Sequence, residues 1–240
     1  MLGAIYESLL GVLNLNDMSK IIERAIGGVE ARRIILKELL EGPKTGYELR
    51  DALAKELGVS VEDISDAKLY FNLQALENSG LINRYREWKS KYAEIVPTMV
   101  QAVRRYLNVS APVLCLSSLD SEPLLVREIG RRLREQAGIN PDGYVFIAEN
   151  EMRTRVGGKP DNAEIIWVPE YAMHDFKRMY EVAKNIVERE IRRKEIILDV
   201  TDGTRISAVA LQQLAWEYGL RVFYLKGKKD EARKVIWIRS

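Results

Sequence analysis

The chain has 240 residues, of which 47% are hydrophobic and 30% are charged, and its formal net charge at pH 7 is +2. This composition is typical of a globular protein with a large core and excludes a uniformly basic, nucleic-acid-coating chain. Any contact with nucleic acid must therefore come from a local basic patch. A single cysteine and a single histidine, Cys115 and His174, exclude an internal disulfide and a structural zinc site, and we predict no cofactor or metal.

The sequence also predicts a cytoplasmic protein with no membrane partner. No apolar run reaches the length of a membrane span, and the apolar residues 1–15 include Glu7 and no basic leader. Cys115 lies within an apolar run, so we expect a buried thiol in a reducing compartment. The abundance of Glu, Lys, Arg and Ile favours a thermophilic source, which we expect to be archaeal.

Residues 1–28 are predicted to form an N-terminal helical arm. Ile5, Leu9 and Val12 repeat at helical spacing, and the pair Gly27-Gly28 ends the helix. Two interpretations are open. The arm pairs with a second copy of the chain, or it packs on its own domain.

Residues 29–107 are predicted to form an α+β winged helix-turn-helix domain. Three amphipathic helices are expected, the second beginning at a capping box formed by Thr45 and Glu48 and the third ending at Asn78. A hairpin rich in basic and aromatic residues follows around Trp88. Three helices followed by a basic hairpin are the layout of a winged helix-turn-helix.

The run from Leu69 to Ile82 resembles the recognition helix and wing entry of the PadR- and MarR-like winged-helix families. The resemblance implies that the third helix enters a major groove of duplex DNA while the wing contacts phosphates. The wing carries four cations against Glu87, a local charge of +3 that suits salt-dependent DNA binding. The alternative is a winged helix that contacts only proteins. The candidate DNA-binding residues are Lys68, Asn72, Gln74, Arg84, Arg86, Lys89 and Lys91.

Residues 111–240 are predicted to form an α/β domain with Rossmann-like alternation of strands and helices. A long helix is expected to begin at Pro169. Residues 149–163 show no helical pattern, so the second and third strands are joined either by a loop or by a hairpin. The predicted strands are 112–117, 144–148, 164–168, 195–200, 221–225 and 234–239.

Two polar loops follow predicted strands of this domain. The first strand leads into Ser117–Pro123, and the fourth leads into Thr201–Arg205. Each loop precedes a helix, and the carboxyl ends of neighbouring parallel strands meet at one edge of a sheet, where ligands bind. Hydroxyls, backbone N–H groups, helix N-termini and a guanidinium would then converge, which is a combination that attracts phosphate.

The Ser-Leu-x-x-Glu-Pro pattern of the first loop and the Asp-x-Thr-x-Gly-Thr-Arg pattern of the later one resemble the motifs of the CRISPR-associated Rossmann fold, or CARF, domain. The resemblance implies two-fold pairing of chains and binding of a cyclic oligoadenylate, commonly the tetramer, across the dimer. The residues that it places around the ligand are Ser117, Ser118, Asp120, Ser121, Thr201, Asp202, Gly203, Thr204 and Arg205.

The chain departs from the CARF pattern in three respects. Asp202 stands where many members have glycine, which puts a carboxylate beside the implied phosphate site. Arg205 replaces the commoner lysine, which keeps the charge but changes the donor geometry. The winged helix also precedes the CARF-like domain, whereas it follows that domain in the familiar regulators.

We therefore expect a homodimeric, ligand-responsive, DNA-binding transcription regulator linked to CRISPR defence, rather than an enzyme. The alternative is a metal-independent ring nuclease that cleaves cyclic oligoadenylate in the same pocket. In that enzyme Ser117 or Ser118 would orient the ribose 2′-hydroxyl and Arg205 would stabilise the phosphorane. A methyltransferase loop is disfavoured because it normally follows the first strand of its domain. A ribonuclease motif is disfavoured because no arginine lies four to seven positions before His174.

Overall fold

The computed structural model describes residues 15–121, 125–156, 161–227 and 233–239. The chain divides into two compact units, residues 1–110 and 111–240. Most of the predicted N-terminal arm, residues 1–14, lies outside the described residues. Within the described ranges, no helix is both long enough and apolar enough to cross a bilayer.

Unit 1 (residues 1–110) is a winged helix-turn-helix, which confirms the predicted fold. Its helices are α1 (Leu15–Ile26), α2 (Glu30–Leu39), α3 (Gly46–Leu57), α4 (Asp66–Asn78) and α5 (Val100–Tyr106), with 3₁₀ helices at Val61–Asp63 and Pro97–Met99. Its strands β1 (Lys44–Thr45), β2 (Ile82–Glu87) and β3 (Ser90–Ile95) form an antiparallel sheet in the order β1-β3-β2.

Side-chain caps place the helices of unit 1. The hydroxyl of Thr45 accepts the Glu48 backbone N–H at 3.3 Å, and the Glu48 carboxylate accepts the Thr45 N–H at 2.6 Å, so the predicted capping box starts α3. Ser65 caps α4 by accepting the Lys68 N–H at 3.2 Å. The capped helices α3 and α4 bury aliphatic residues such as Leu49, Leu53 and Leu76 in the core of unit 1.

In unit 2 (residues 111–240), the described residues form an α/β fold around a sheet of six strands. Its strands are β4 (Val113–Leu119), β5 (Gly143–Glu149), β6 (Ala163–Val168), β7 (Glu195–Asp199), β8 (Arg221–Lys226) and β9 (Lys234–Arg239). Its helices are α6 (Leu125–Ala137), α7 (Glu170–Met173), α8 (Phe176–Glu190) and α9 (Arg205–Tyr218). The strand order is β6-β5-β4-β7-β8-β9, with every pair parallel except β8 and β9. This is the order of a doubly wound Rossmann sheet, which confirms the predicted class.

Two connections of unit 2 differ from the prediction. Strands β5 and β6 pair in parallel, so the hairpin alternative between them is wrong, and a 3₁₀ helix at Asn150–Thr154 begins their crossover. The single helix expected from Pro169 is two helices. Asp175 interrupts it, because its carboxylate accepts the Arg178 N–H at 3.1 Å and so caps α8.

The core of unit 2 lies between the sheet and its helices. Cys115 and Phe146 are completely buried in it, which confirms the expectation for the thiol. Helix α6 approaches the sheet closely at Gly130, where an added Cβ would lie 2.1 Å from the Tyr144 hydroxyl oxygen.

Candidate functional site

Strands β4 and β7 are neighbours at the centre of the Rossmann sheet. They pair in parallel, with Ser117 opposite Asp199. The strand order reverses between them, and ligands of open α/β sheets bind at this switch point, outside the carboxyl ends of the strands. The first loop (Asp120 and Ser121) and the late loop (residues 200–204) therefore meet there, as hydrogen bonds between them show.

A buried carboxyl group, Asp199, forms the floor of this junction. Its side chain is fully buried at the end of β7. Ser117 donates its hydroxyl to Asp199 Oδ2 at 2.7 Å, and Thr201 donates both its backbone N–H, at 3.1 Å, and its hydroxyl to Oδ1. Burial raises the pKa of Asp199 to about 6, although the donated hydrogen bonds oppose the shift. Asp199 is the first residue of the late motif, but it is not among the predicted ligand-binding residues.

The two serines of β4 lie beneath the loops. Ser117 and Ser118 are both fully buried. Ser118 Oγ donates to the Asp202 backbone oxygen at 3.1 Å and lies 3.1 Å from Ser207 Oγ. The Ser118 hydroxyl thus holds the late loop, the Ser117 hydroxyl holds Asp199 at the end of β7, and a ligand would reach them only if the loops opened. In this arrangement neither serine is placed to orient a ribose hydroxyl.

The late loop tolerates few other residues at positions 203 and 204. Gly203 has a φ of +90°, and a Cβ there would lie 2.2 Å from Ser118 Oγ and 2.6 Å from Ser207 Oγ. Thr204 is buried and caps α9, accepting the Ser207 N–H at 3.1 Å while donating its hydroxyl to the Met173 oxygen at 2.5 Å. The glycine and threonine of the motif therefore shape the loop, and neither presents a free side chain.

Asp202 joins the two loops through its carboxylate. Its Oδ2 accepts the backbone N–H groups of Asp120 and Ser121, each at 3.1 Å, and its Oδ1 accepts the Ser121 hydroxyl at 2.9 Å. Converging backbone N–H groups and hydroxyls are the donors that proteins use to bind phosphate. We call these three donors the anion cradle. In this structure the anion that it holds is the protein's own carboxylate.

Charges around the junction have both signs. Burial raises the pKa of Glu149, at the end of β5, and the nearby charges of Asp120 and Glu170 raise it further. Arg205, the first residue of α9, is exposed and forms no ion pair with any residue that the structure describes. An anionic ligand would be attracted by this guanidinium and repelled by the carboxylates.

A second candidate site lies in unit 1, between α4 and the wing (strands β2 and β3). An open groove of about 680 Å³ separates them. Arg86 pairs with Lys91 across the hairpin, and cross-strand partners share a face, so both cations line the groove with Tyr70 of α4. Basic side chains beside an aromatic ring favour contact with nucleic acid.

The structure exposes four of the predicted DNA-binding residues: Lys68, Arg86, Lys89 and Lys91. Asn72 is buried instead, since its amide donates to the Lys68 oxygen at 2.9 Å and its Oδ1 accepts from Arg32 Nε at 3.2 Å. It therefore braces α4 from within and does not face a base edge. The sequence pattern does not predict the burial of Asn72, because its hydrogen-bond partner Arg32 lies 40 positions earlier in the chain.

Gln74 and Arg84 are engaged with each other. Arg84 donates to Gln74 Oε1 at 2.6 Å and to Glu77 Oε2 at 2.9 Å, and its guanidinium lies 4.8 Å from the Tyr70 ring centroid. The Arg84 charge is thus largely neutralised inside unit 1, so it contributes less to the wing than the sequence suggests. The free positive charge of the wing lies nearer its tip.

The tip carries Trp88, which is 93% exposed and adopts a left-handed φ of 53°. An exposed tryptophan on a strained backbone is uncommon and marks a candidate contact residue. The sequence predicted the aromatic wing but not this exposure.

No protein-family model and no curated protein matches the sequence. Several solved structures match parts of the chain, among them two that contain bound cyclic oligoadenylate or an analogue of it and one winged helix-turn-helix domain. Can2 from Sulfobacillus thermosulfidooxidans, in complex with cyclic tetra-adenylate, is 16% identical with a TM-score of 0.38, over 48% of this chain and 32% of that chain. Csm6 from Enterococcus italicus, bound to cyclic hexa-2′-fluoro-hexa-dAMP, is 15% identical with a TM-score of 0.37, over 49% and 34%.

The third is the homodimeric winged helix-turn-helix DNA-binding domain of Mb0332 from Mycobacterium bovis, 25% identical with a TM-score of 0.26, over 40% of this chain and 76% of that chain. The chain spans about a third of the length of Can2 and of Csm6. Because these similarities cover only parts of the chains, the class of the protein is defined by its own topology. It is a winged helix-turn-helix followed by a Rossmann-like sheet.

Proposed function

We propose that the chain is a homodimeric, DNA-binding transcription regulator that responds to a cyclic oligoadenylate, most simply the tetramer, and acts in CRISPR defence. The observation that carries the proposal is the junction of the two motif loops. Asp120 and Asp202 lie 82 positions apart in the chain, yet they are hydrogen-bonded at the switch point of the sheet. The two stretches that resemble CARF motifs therefore form one site.

This site offers suitable groups for a ring of phosphates. The N–H groups of Asp120 and Ser121 and the N-terminus of α9 are backbone donors, and Arg205 adds an exposed charge. A charge-assisted contact to phosphate is stronger than a neutral hydrogen bond. Arg205 is accordingly the side chain that we expect to contribute most to ligand affinity.

Exposed apolar side chains support pairing of two chains near this edge of the sheet. Tyr171, Phe176 and Val209 are 58%, 43% and 57% exposed, and each lies near the start of a helix that follows the carboxyl edge. Aromatic side chains are enriched at protein interfaces. A two-fold pairing would present two copies of the loops to a cyclic ligand.

The basic wing supports the DNA-binding part of the proposal. Arg86, Lys89 and Lys91 are exposed cations on one hairpin, which suits contact with the phosphate backbone. Ligand binding can alter DNA affinity only by the difference between the ligand's affinities for the two states.

The test is to titrate the purified protein with labelled cyclic tetraadenylate while following binding, cleavage and affinity for duplex DNA in the same samples. We expect saturable binding, release of intact ligand and a change in DNA affinity. Arg205→Ala should weaken ligand binding by about one to two orders of magnitude, since a charge-assisted contact contributes roughly 1.5–3 kcal/mol.

Arg131→Ala is the matched control, because Arg131 is an exposed arginine on α6. Absence of binding by the wild type would reject the ligand proposal. Linear fragments that disappear in Ser117→Ala or Ser118→Ala would replace the sensor with a ring nuclease.

A further inference from the structure

The anion cradle at the switch point is occupied by the protein itself. Three donors from two residues, the N–H groups of Asp120 and Ser121 and the Ser121 hydroxyl, all point at the Asp202 carboxylate. The cradle and the carboxylate come from opposite sides of the junction, one from the first loop and one from the late loop. The hydrogen bonds to Ser121 are exposed, so water can replace the carboxylate when this contact opens.

A carboxylate and a phosphate compete for such a cradle. Both present anionic oxygens to the same N–H groups, and an N–H group directed at one oxygen is not available to another. Two anions at the same position would also repel each other in a partly desolvated site. A phosphate can therefore enter only after the Asp202 carboxylate has left.

We propose that the Asp202 carboxylate competes with the ligand. It occupies one phosphate position of the site and thereby sets the affinity of the site for the ligand. This inference rests on the proposed function. The apparent affinity of such a site is the intrinsic affinity multiplied by the fraction of molecules in which the cradle is open. A contact of three charge-assisted hydrogen bonds keeps that fraction low.

Displacement of Asp202 also reaches beyond the cradle. Its backbone oxygen accepts the Ser118 hydroxyl, and Gly203 and Thr204, which follow it, start α9. The Thr204 hydroxyl is bonded to the Met173 oxygen at the end of α7. A ligand that displaces Asp202 therefore also displaces the late loop, which contacts the end of α7 and caps α9. Displacement of this loop is a path by which ligand binding can change the structure of unit 2.

The experiment compares wild type with Asp202→Ala and Asp202→Asn. Asparagine keeps an oxygen that accepts the same N–H groups without the charge, and alanine empties the cradle. We expect cyclic tetraadenylate to bind about tenfold more tightly to the alanine variant, with asparagine intermediate. If alanine does not fold, the asparagine variant carries the test in the same direction. Glu151→Gln removes an exposed charge from the same sheet edge and should change affinity by less than about threefold.

Inorganic phosphate supplies a second probe that does not depend on the oligoadenylate. At constant ionic strength, phosphate should raise the thermal midpoint of Asp202→Ala but not that of wild type or Glu151→Gln. If wild type binds the oligoadenylate while the Asp202 variants bind no tighter and show no phosphate response, the inference is overturned and the proposed function stands. If phosphate stabilises the alanine variant but neither the wild type nor any variant binds the oligoadenylate, the inference that Asp202 occupies an anion site is supported. The proposed function is then rejected. Failure of both probes overturns both.

Discussion

Replacing Asp199 by asparagine tests whether the floor of the switch point holds a proton in the folded state. Burial raises the pKa of Asp199 from its ordinary 3.8 to about 6, so the folded protein binds this proton more tightly than the unfolded chain does. The resulting stability is fully present below about pH 3.8 and is lost as the pH rises through about 6. A difference of about 2 pH units corresponds to about 3 kcal/mol, since each unit contributes about 1.36 kcal/mol.

Asparagine has the shape of the protonated acid and carries no charge at any pH. Its carbonyl can accept the Thr201 N–H, and its amide can donate to Ser117 Oγ, so the hydrogen bonds at Asp199 have replacements. We expect Asp199→Asn to flatten the pH dependence of the free energy of unfolding between about pH 3.8 and pH 6, the interval between the unfolded and folded pKa values. At pH 8 the variant should exceed the wild type in stability by up to about 3 kcal/mol.

Denaturant or thermal unfolding at several pH values measures both quantities. Asp175→Asn is the matched control, because it makes the same substitution at a helix cap, a position that asparagine also favours. A variant that is less stable than wild type at pH 8, or that keeps the wild-type pH profile, would show that burial does not raise the pKa of Asp199.

Three further predictions concern the interfaces and the late loop. Arg86→Ala combined with Lys91→Ala should weaken binding to all duplex DNA sequences. It should also reduce the slope of log affinity against log salt concentration by about 2, since each phosphate contact contributes about 0.9. An unchanged slope in a fluorescence-anisotropy salt series would show that neither cation contacts the DNA. Gly203→Ala should destabilise unit 2 by roughly 1–3 kcal/mol in thermal unfolding, through backbone strain and overpacking against two buried hydroxyls. Gly138→Ala, at a φ of +67° with open space around its Cβ, isolates the strain alone, and an equal loss there would disprove the role of packing. Light scattering at micromolar concentration should give twice the chain mass of 27.5 kDa, and a mass of 27.5 kDa would contradict the proposed dimer.

Features that depend on local sequence were predictable. The capping box of Thr45 and Glu48 starts α3 because its hydrogen bonds span only three residues. Alternating apolar strands and amphipathic helices predicted the parallel sheet, because burial on both faces leaves a strong pattern. The break at Asp175 was missed because an acidic residue inside an amphipathic run has two possible roles, a solvated helix position or a cap, and only the surrounding packing decides between them.

The roles of the polar site residues could not be predicted from their types. Serine, threonine and aspartate can bind phosphate, but the same groups satisfy backbone N–H groups and one another, and both uses produce the same motif. Here Ser118 and Thr204 are buried and bonded within the protein, while Asp202 holds the donors that would otherwise be open. While the site is empty, its donors are paired either by water or by the protein, and here the Asp202 carboxylate accepts them. A site built from short polar side chains therefore closes on itself in the free protein, and Asp202 is the residue through which this one closes.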